Sequence, residues 1–147
     1  MKSLFDSSAN RSLQERIEML SPDAKPLWGT MTVAQTLKHL NLAVRNALGE
    51  VKFERSEAGK KFAEIAKPMV FSDEPFGKNL PSDENFIMKD DPDFLVEKTS
   101  LIESLKKFSD ASKTSNAEHP FFGVLTSAEW DQLIWKHVDH HLIQFGV

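Results

Sequence analysis

Val33, Leu37, Leu40, Val44 and Leu48 recur every three to four residues, the period with which an α-helix lays one apolar stripe on a core. The stripe predicts a helix that begins at Thr30 or Thr32, either able to accept an orphan N–H as N-cap, and ends at Gly49 as C′ residue. The same period returns elsewhere. Leu13, Ile17 and Leu20 predict a short helix over 11–20, halted before Ser21-Pro22 because a residue preceding proline is pushed out of the helical region. A linker with two prolines, SPDAKPLWG, follows. Phe62, Ile65 and Ala66 predict a helix over 55–68 that ends near Pro68, and Leu95, Leu101, Ile102, Leu105 and Phe108 predict another over 94–112. Residues 71–96 hold Pro75, Pro81, Pro92 and several Asp without a sustained period, and read as a long irregular crossover. SDASKTSNAE, residues 109–118, reads as loop. The last segment is the best marked. Thr126-Ser127-Ala128-Glu129 fits a capping box, Thr126 accepting the N3 amide while Glu129 reaches back to the N-cap amide, so a helix is expected from Ser127 to about Phe145. No segment shows the sustained alternation of a half-buried strand, which makes all-α with four main helices the expected class.

The 147 residues suit a single domain and suffice to bury a core without a disulfide or metal to hold it together. Any metal would therefore serve function. With 18 Lys+Arg against 22 Asp+Glu, the formal charge is -4, the wrong sign for a phosphate-backbone binder, and nucleic acid is not expected as a partner. The chain has no Cys. That excludes disulfides, thiolate metal ligands, iron–sulfur clusters and a cysteine nucleophile, leaving histidine and carboxylates for any metal site. The N-terminal stretch turns polar after Phe5, without the apolar run of about 7–15 residues that a secretory signal needs. No apolar run approaches the roughly 18 residues of a membrane span. A cytoplasmic protein without a membrane partner is expected.

Three of the five histidines fall within His137-Val138-Asp139-His140-His141. Random placement would give roughly 0.13 histidine pairs at i,i+4. Residues four apart sit one above the other on a helix face, with Cβ atoms about 5–6 Å apart, close enough for two imidazoles to reach one ion at about 2.0–2.1 Å. His137 and His141 lie within about 40° of each other on the stripe of Trp130, Ile134 and Gln144, and are expected to face inward. Bare imidazoles there need partners, and a metal would supply one to both. His140, about 60° to the other side of His137, leaves an i,i+3 pairing open as an alternative. Three protein ligands and an open position are the pattern of catalytic zinc. His39 is the leading third ligand. It lies about 130° from the centre of the Leu/Val stripe, on a flank with Thr32, Thr36, Ala43 and Asn46 that is either room for an ion or a solvated edge. His119, in a loop, is the reserve.

Other chemistries have less support. Val138 stands where a zincin motif has its glutamate, and a helical HxxxH without that glutamate is as readily a satisfied core feature. No GxGxxG, Walker-type GxxxxGK[ST] or GxSxG occurs. Asp90-Asp91-Pro92-Asp93 reads as a solvated loop. Trp28, Trp130, Phe121 and Phe122, with Thr36 beside His39, are candidate pocket walls, although aromatics in such positions also serve as plain core. His119-Pro120 and Gly123 are expected to shape the turn into the last helix, and Asp139, about 160° from the histidine stripe, to face solvent.

The stretch WGTMTVAQTLKHL (28–40), followed by HPFFGVLTSAEWDQLIWKHVDHHLIQFGV (119–147), resembles an uncharacterised-function branch of the DinB-like superfamily. The middle third is similar only in general character. The resemblance implies an up-down-down-up four-helix bundle holding a divalent metal, commonly zinc or nickel, with three histidines. Matched residue by residue, these are His39, His137 and His141, with Gln144 as the glutamine of the HH..Q ending. Characterised relatives are thiol-dependent transferases and isomerases that use bacillithiol, mycothiol or glutathione, the metal activating a sulfur. The resemblance thus implies a metal-dependent enzyme of the thiol S-transferase type, acting on a small molecule with an exogenous low-molecular-weight thiol. It also makes a homodimer plausible. A hydrolase using metal-bound hydroxide, or a non-catalytic module binding a ligand or partner through the 71–96 crossover, are the alternatives.

Overall fold

The computed structural model describes residues 2–110, Thr114 and residues 117–147. Within them run five α-helices: α1 (Ser7–Glu18), α2 (Val33–Ala47), α3 (Glu57–Val70), α4 (Phe94–Phe108) and α5 (Ser127–Gln144). A 3-10 turn, Glu84–Phe86, interrupts the crossover. Two short antiparallel strands, β1 (Glu118–His119) and β2 (Gly123–Val124), precede α5.

Cross-helix hydrogen bonds fix the direction of each bundle helix. Asn10, early in α1, donates to the Leu105 carbonyl late in α4 at 2.8 Å, whereas Lys98, early in α4, donates to the Glu18 carbonyl at the end of α1. These two helices are antiparallel. α2 and α4 are parallel: Gln35 reaches the Asp90 carbonyl just before α4, Asn41 donates to Ser100 at 2.7 Å, and Lys107 pairs with Glu50 just past α2. α1 and α5 are also parallel, joined by the Leu4 amide to Asp131 and by Arg16 to Asp139, both at 2.6 Å. The order is the up-down-down-up of a DinB-like bundle, with α2 packed on both α4 and α5.

The core is the sum of the predicted stripes. Leu13 and Ile17 of α1, Leu37, Leu40 and Val44 of α2, Leu101, Leu105 and Phe108 of α4, and Trp130, Ile134 and Leu142 of α5 are all buried. Fully burying such a side chain contributes about 1.5–3 kcal/mol each. Thr32 and Thr126 both close complete capping boxes, and Gly49 follows the C-cap of α2.

Several boundaries differ from expectation. α1 starts four residues before the expected Arg11, because the Asp6 carboxylate caps it by accepting the amides of Ser8 and Ala9 at 2.9 Å. It ends at Glu18. α3 runs through Pro68 to Val70, since a proline in the last turn removes only one intrahelical donor. α4 ends at Phe108, and residues 111–112 of its expected range, like half of the 109–118 loop, lie outside the described residues. Leu95, in the first turn of α4, is exposed and does not join the core stripe. The β1–β2 hairpin was not expected: two residues per strand are too few to show alternation.

α3 is not a bundle member. Its apolar residues Phe62, Ile65 and Met69 remain mostly exposed, and polar anchors hold it at both ends. At its N-terminus the Ser56 amide donates to the Pro120 carbonyl at 2.8 Å and Arg55 Nε to the Phe121 carbonyl at 3.0 Å. At its C-terminus, Lys136 of α5 donates to the carbonyls of Val70 and Ser72, and Gln132 to that of Phe71, all at 2.8 Å. Gly59 permits this docking, because a Cβ there would stand 2.4 Å from the Phe121 carbonyl oxygen. Helix propensity alone would make Gly59→Ala stabilising by about 1 kcal/mol. The contact reverses the sign: urea unfolding of Gly59→Ala is expected to show a loss of about 1–3 kcal/mol, and a gain would disprove the close approach.

Candidate metal centre

His39, His137 and His141 come together where α2 and α5 pass antiparallel. Each offers one ring nitrogen, and the three nitrogens lie within 4.8 Å of one another. His39 Nε2 and His137 Nε2 are 2.8 Å apart. Nitrogens sharing an ion at about 2.0–2.1 Å stand roughly 3 Å from each other. His39 is 2% exposed although it lies off the Leu/Val stripe. The reason is that α2 is covered on two sides, by α4 and by α5, so eleven of its fifteen residues are buried.

Two of the three nitrogens that face away from the cluster are held by acceptors. His39 Nδ1 lies 2.7 Å from the Phe86 carbonyl oxygen of the 3-10 turn. A carbonyl only accepts, so Nδ1 carries the proton and Nε2 presents a lone pair. His141 Nδ1 lies 2.6 Å from Gln144 Oε1, and Gln144 Nε2 donates to the Trp28 carbonyl at 2.7 Å. That second bond orients the amide, so His141 donates from Nδ1 and its Nε2 is free. Gly29 makes the approach possible: its φ is +82°, and a Cβ would meet Gln144 Nε2 at 2.6 Å.

All three imidazoles are neutral over the ordinary pH range. Burial lowers His39; burial, then the neighbouring His39 and His141, holds His137 well below the usual histidine value. Burial and His39 bring His141 down to about 3. Neutral imidazoles are what a divalent ion requires of histidine ligands, and His39 and His141 have their far N–H bound to oxygen, while His137 Nε2 donates to His39 Nε2 in the metal-free cluster. The cluster could hold a metal ion.

It forms the floor of a cavity of about 1010 Å³. Trp28, Phe121 and Trp130 line this space as expected, and so do Phe62 and Met69 of α3 and Leu80 of the crossover. Thr36 does not: its hydroxyl bonds back to the Thr32 carbonyl at 3.0 Å, within its own helix. Neither reserve histidine joins the cluster. His140 borders the cavity edge-on to Trp28 and Phe76. His119 accepts the amides of Phe121 and Phe122 on Nδ1 and so shapes the turn before α5. Asp139 is tied to Arg16 of α1 rather than simply solvated. Asp90 pairs with Lys38 and Asp93 caps α4, which gives the acidic stretch structural duties.

A family of proteins of unknown function, DUF1569, matches residues 5–146. The chain belongs to the DUF1569 family. DUF1569 is DinB-like, in keeping with the bundle and the three-histidine cluster. No curated protein and no solved structure matches the chain significantly. No described helix of this DUF1569 protein is long and apolar enough to cross a membrane.

The Phe86 and Trp28 carbonyls that orient the histidines are backbone atoms, and no residue pattern marks them. The sequence did carry a signal for Gln144, three residues after His141 on the same helix. Replacing it by leucine keeps the volume and removes the acceptor of His141 Nδ1–H. For Gln144→Leu, zinc affinity measured against a chromophoric chelator is expected to fall about 10–100-fold, and an unchanged affinity would deny Gln144 any orienting role.

The metal-free protein also has a defined acid response. His119 and His141, lowered by burial to about 4 and about 3, bind protons far less readily than in the unfolded chain, where histidine titrates near about 6.5. Below that value the unfolded state holds more protons, so stability is full above it and is lost as pH falls toward the folded values. Circular-dichroism melts should show a midpoint that declines steadily from pH ~6.5 to ~4.5, above the main carboxylate range. A flat midpoint in that window would contradict the buried neutral assignment.

Proposed function

We propose that this protein binds a divalent metal, zinc or nickel, through His39, His137 and His141, with Gln144 orienting His141, and acts as a metal-dependent enzyme of the thiol S-transferase type on a small molecule. The observation that carries the reading is the convergence of three neutral imidazole nitrogens on the floor of a solvent-connected, mostly apolar cavity. A site built only to stabilise the fold is closed by a fourth protein ligand. Among the described residues, the cluster has three.

When bound, such an ion keeps its full positive charge in a neutral three-imidazole shell and lowers the pKa of a thiol or water that meets it. The chain's own residues provide the setting. Phe86 and Gln144 hold the rings of His39 and His141 in the tautomer that turns Nε2 toward the cluster. The α3 and crossover walls offer apolar surface to an apolar body. Since the chain has no Cys, a sulfur nucleophile must enter as a free thiol.

Elemental analysis should find one ion per wild-type chain and none in His137→Ala, whose far-ultraviolet spectrum should match wild type. Transfer to a chlorinated aromatic electrophile should depend on an added thiol and fall at least 100-fold in His137→Ala. Turnover of an ester without any thiol would assign hydrolysis instead. Metal-free wild-type protein after zinc and nickel loading would reject the centre.

A further inference from the structure

His119 borders the same cavity with one ring nitrogen engaged and the other free. Its Nδ1 accepts the amides of Phe121 and Phe122 at 3.0 and 3.2 Å, so the proton resides on Nε2. Burial pushes the imidazole down to about 4, which keeps it a neutral donor. Nε2 makes no hydrogen bond among the described residues, and it is not one of the side-chain nitrogens sealed away from solvent. The residue is only 8% exposed. A ring so enclosed meets solvent through the cavity it borders. Around it stand Phe86, Phe122 and Trp130, at ring-centroid distances of 5.6, 5.0 and 5.5 Å. No acceptor among the described residues meets this donor, and an acceptor atom on a molecule entering the cavity would.

We propose that His119 is a ligand-binding residue whose Nε2–H donates to an uncharged acceptor oxygen, a carbonyl or hydroxyl, on a molecule whose apolar body fills the cavity. The charged residues lining that cavity are Glu57, Asp83 and Glu84, all acidic, and Arg55 acts on the His119 ring from outside the lining. The proposal names the ligand chemistry of the small-molecule site described above, and rests on that reading of the cavity.

His119→Asn separates the two duties of the ring. Asparagine Oδ1 takes the position of Nδ1 and keeps both amide bonds, while no N–H reaches the Nε2 position. Butyrophenone and butylbenzene, alike apart from the carbonyl oxygen, are titrated into zinc-treated, dialysed wild type and His119→Asn. Bound zinc and the two-bond ¹H–¹⁵N spectra of the histidine rings are recorded in parallel. Wild type is expected to carry the His119 proton on Nε2, to shift that resonance with the ketone alone, and to prefer the ketone roughly three- to tenfold. His119→Asn should lose the preference and retain both butylbenzene binding and zinc. A proton on Nδ1, no binding of the ketone, or a preference that survives His119→Asn would overturn the proposal. If the variant does not fold, the ketone-specific shift of Nε2–H in wild type decides. Absence of zinc with a His119-dependent preference would remove the metal and leave the ligand assignment standing.

Discussion

The antiparallel passage of α2 against α5 is the contact on which the site depends, because it brings an early imidazole within 2.8 Å of a late one. Nothing local could do this. Buried together, such rings repel one another when protonated and each loses its hydration, so the arrangement is tolerable only with all three neutral. Their outward N–H groups must then find oxygen. The 3-10 turn supplies the Phe86 carbonyl to His39, and the last turn of α5 supplies Gln144 to His141, itself braced by the Trp28 carbonyl. Donor and acceptor roles are thus assigned for His39 and His141, whose Nε2 atoms turn toward the cluster.

The bundle carries both the stability and the histidine cluster, whereas part of the cavity wall comes from elsewhere in the chain. Four helices make the apolar core, and buried asparagines lock their relative positions: Asn10 spans α1 and α4, and Asn41 bonds Ser100 and Ser104. An unpaired polar group in that core would be costly, so these pairs favour one register over its neighbours. That part of the cavity wall comes from α3, the crossover and the hairpin, which lie outside the bundle. They are attached through hydrogen bonds from Arg55, Gln132 and Lys136 to backbone carbonyls and through the buried Ala63, Phe86 and Phe122. Exposed Phe62 and Met69 on α3 show how little of that helix the bundle covers.

The elements most legible in the residues were those with strong period and caps. α2 and α5 follow from the Val33–Leu48 stripe and from the Thr32 and Thr126 caps, and the His137–His141 pair follows from helical spacing alone. Short-range competition blurred the rest. Asp6 caps α1, yet the apolar residues that mark this helix begin only at Leu13. Pro68 reads as a stop, although a proline so near the C-terminus costs a single bond. Thr36 shares a flank with His39, but its hydroxyl turns back to its own helix. His119 and His140 had the right chemistry for ligands, and only their neighbours show otherwise.

Local propensity and period, which act over a few residues, determined that this chain is helical, where its strongest helices lie and which two late histidines share a face. The resemblance decided for His39, already the leading third ligand, and supplied the order of the bundle. Tertiary structure alone decided that His39 is buried, since the angle on α2 permitted solvent equally well and only the double cover by α4 and α5 removes it. It also decided which atoms orient the rings. Backbone carbonyls are present at every residue, so their roles are set by where the chain passes rather than by what it is made of.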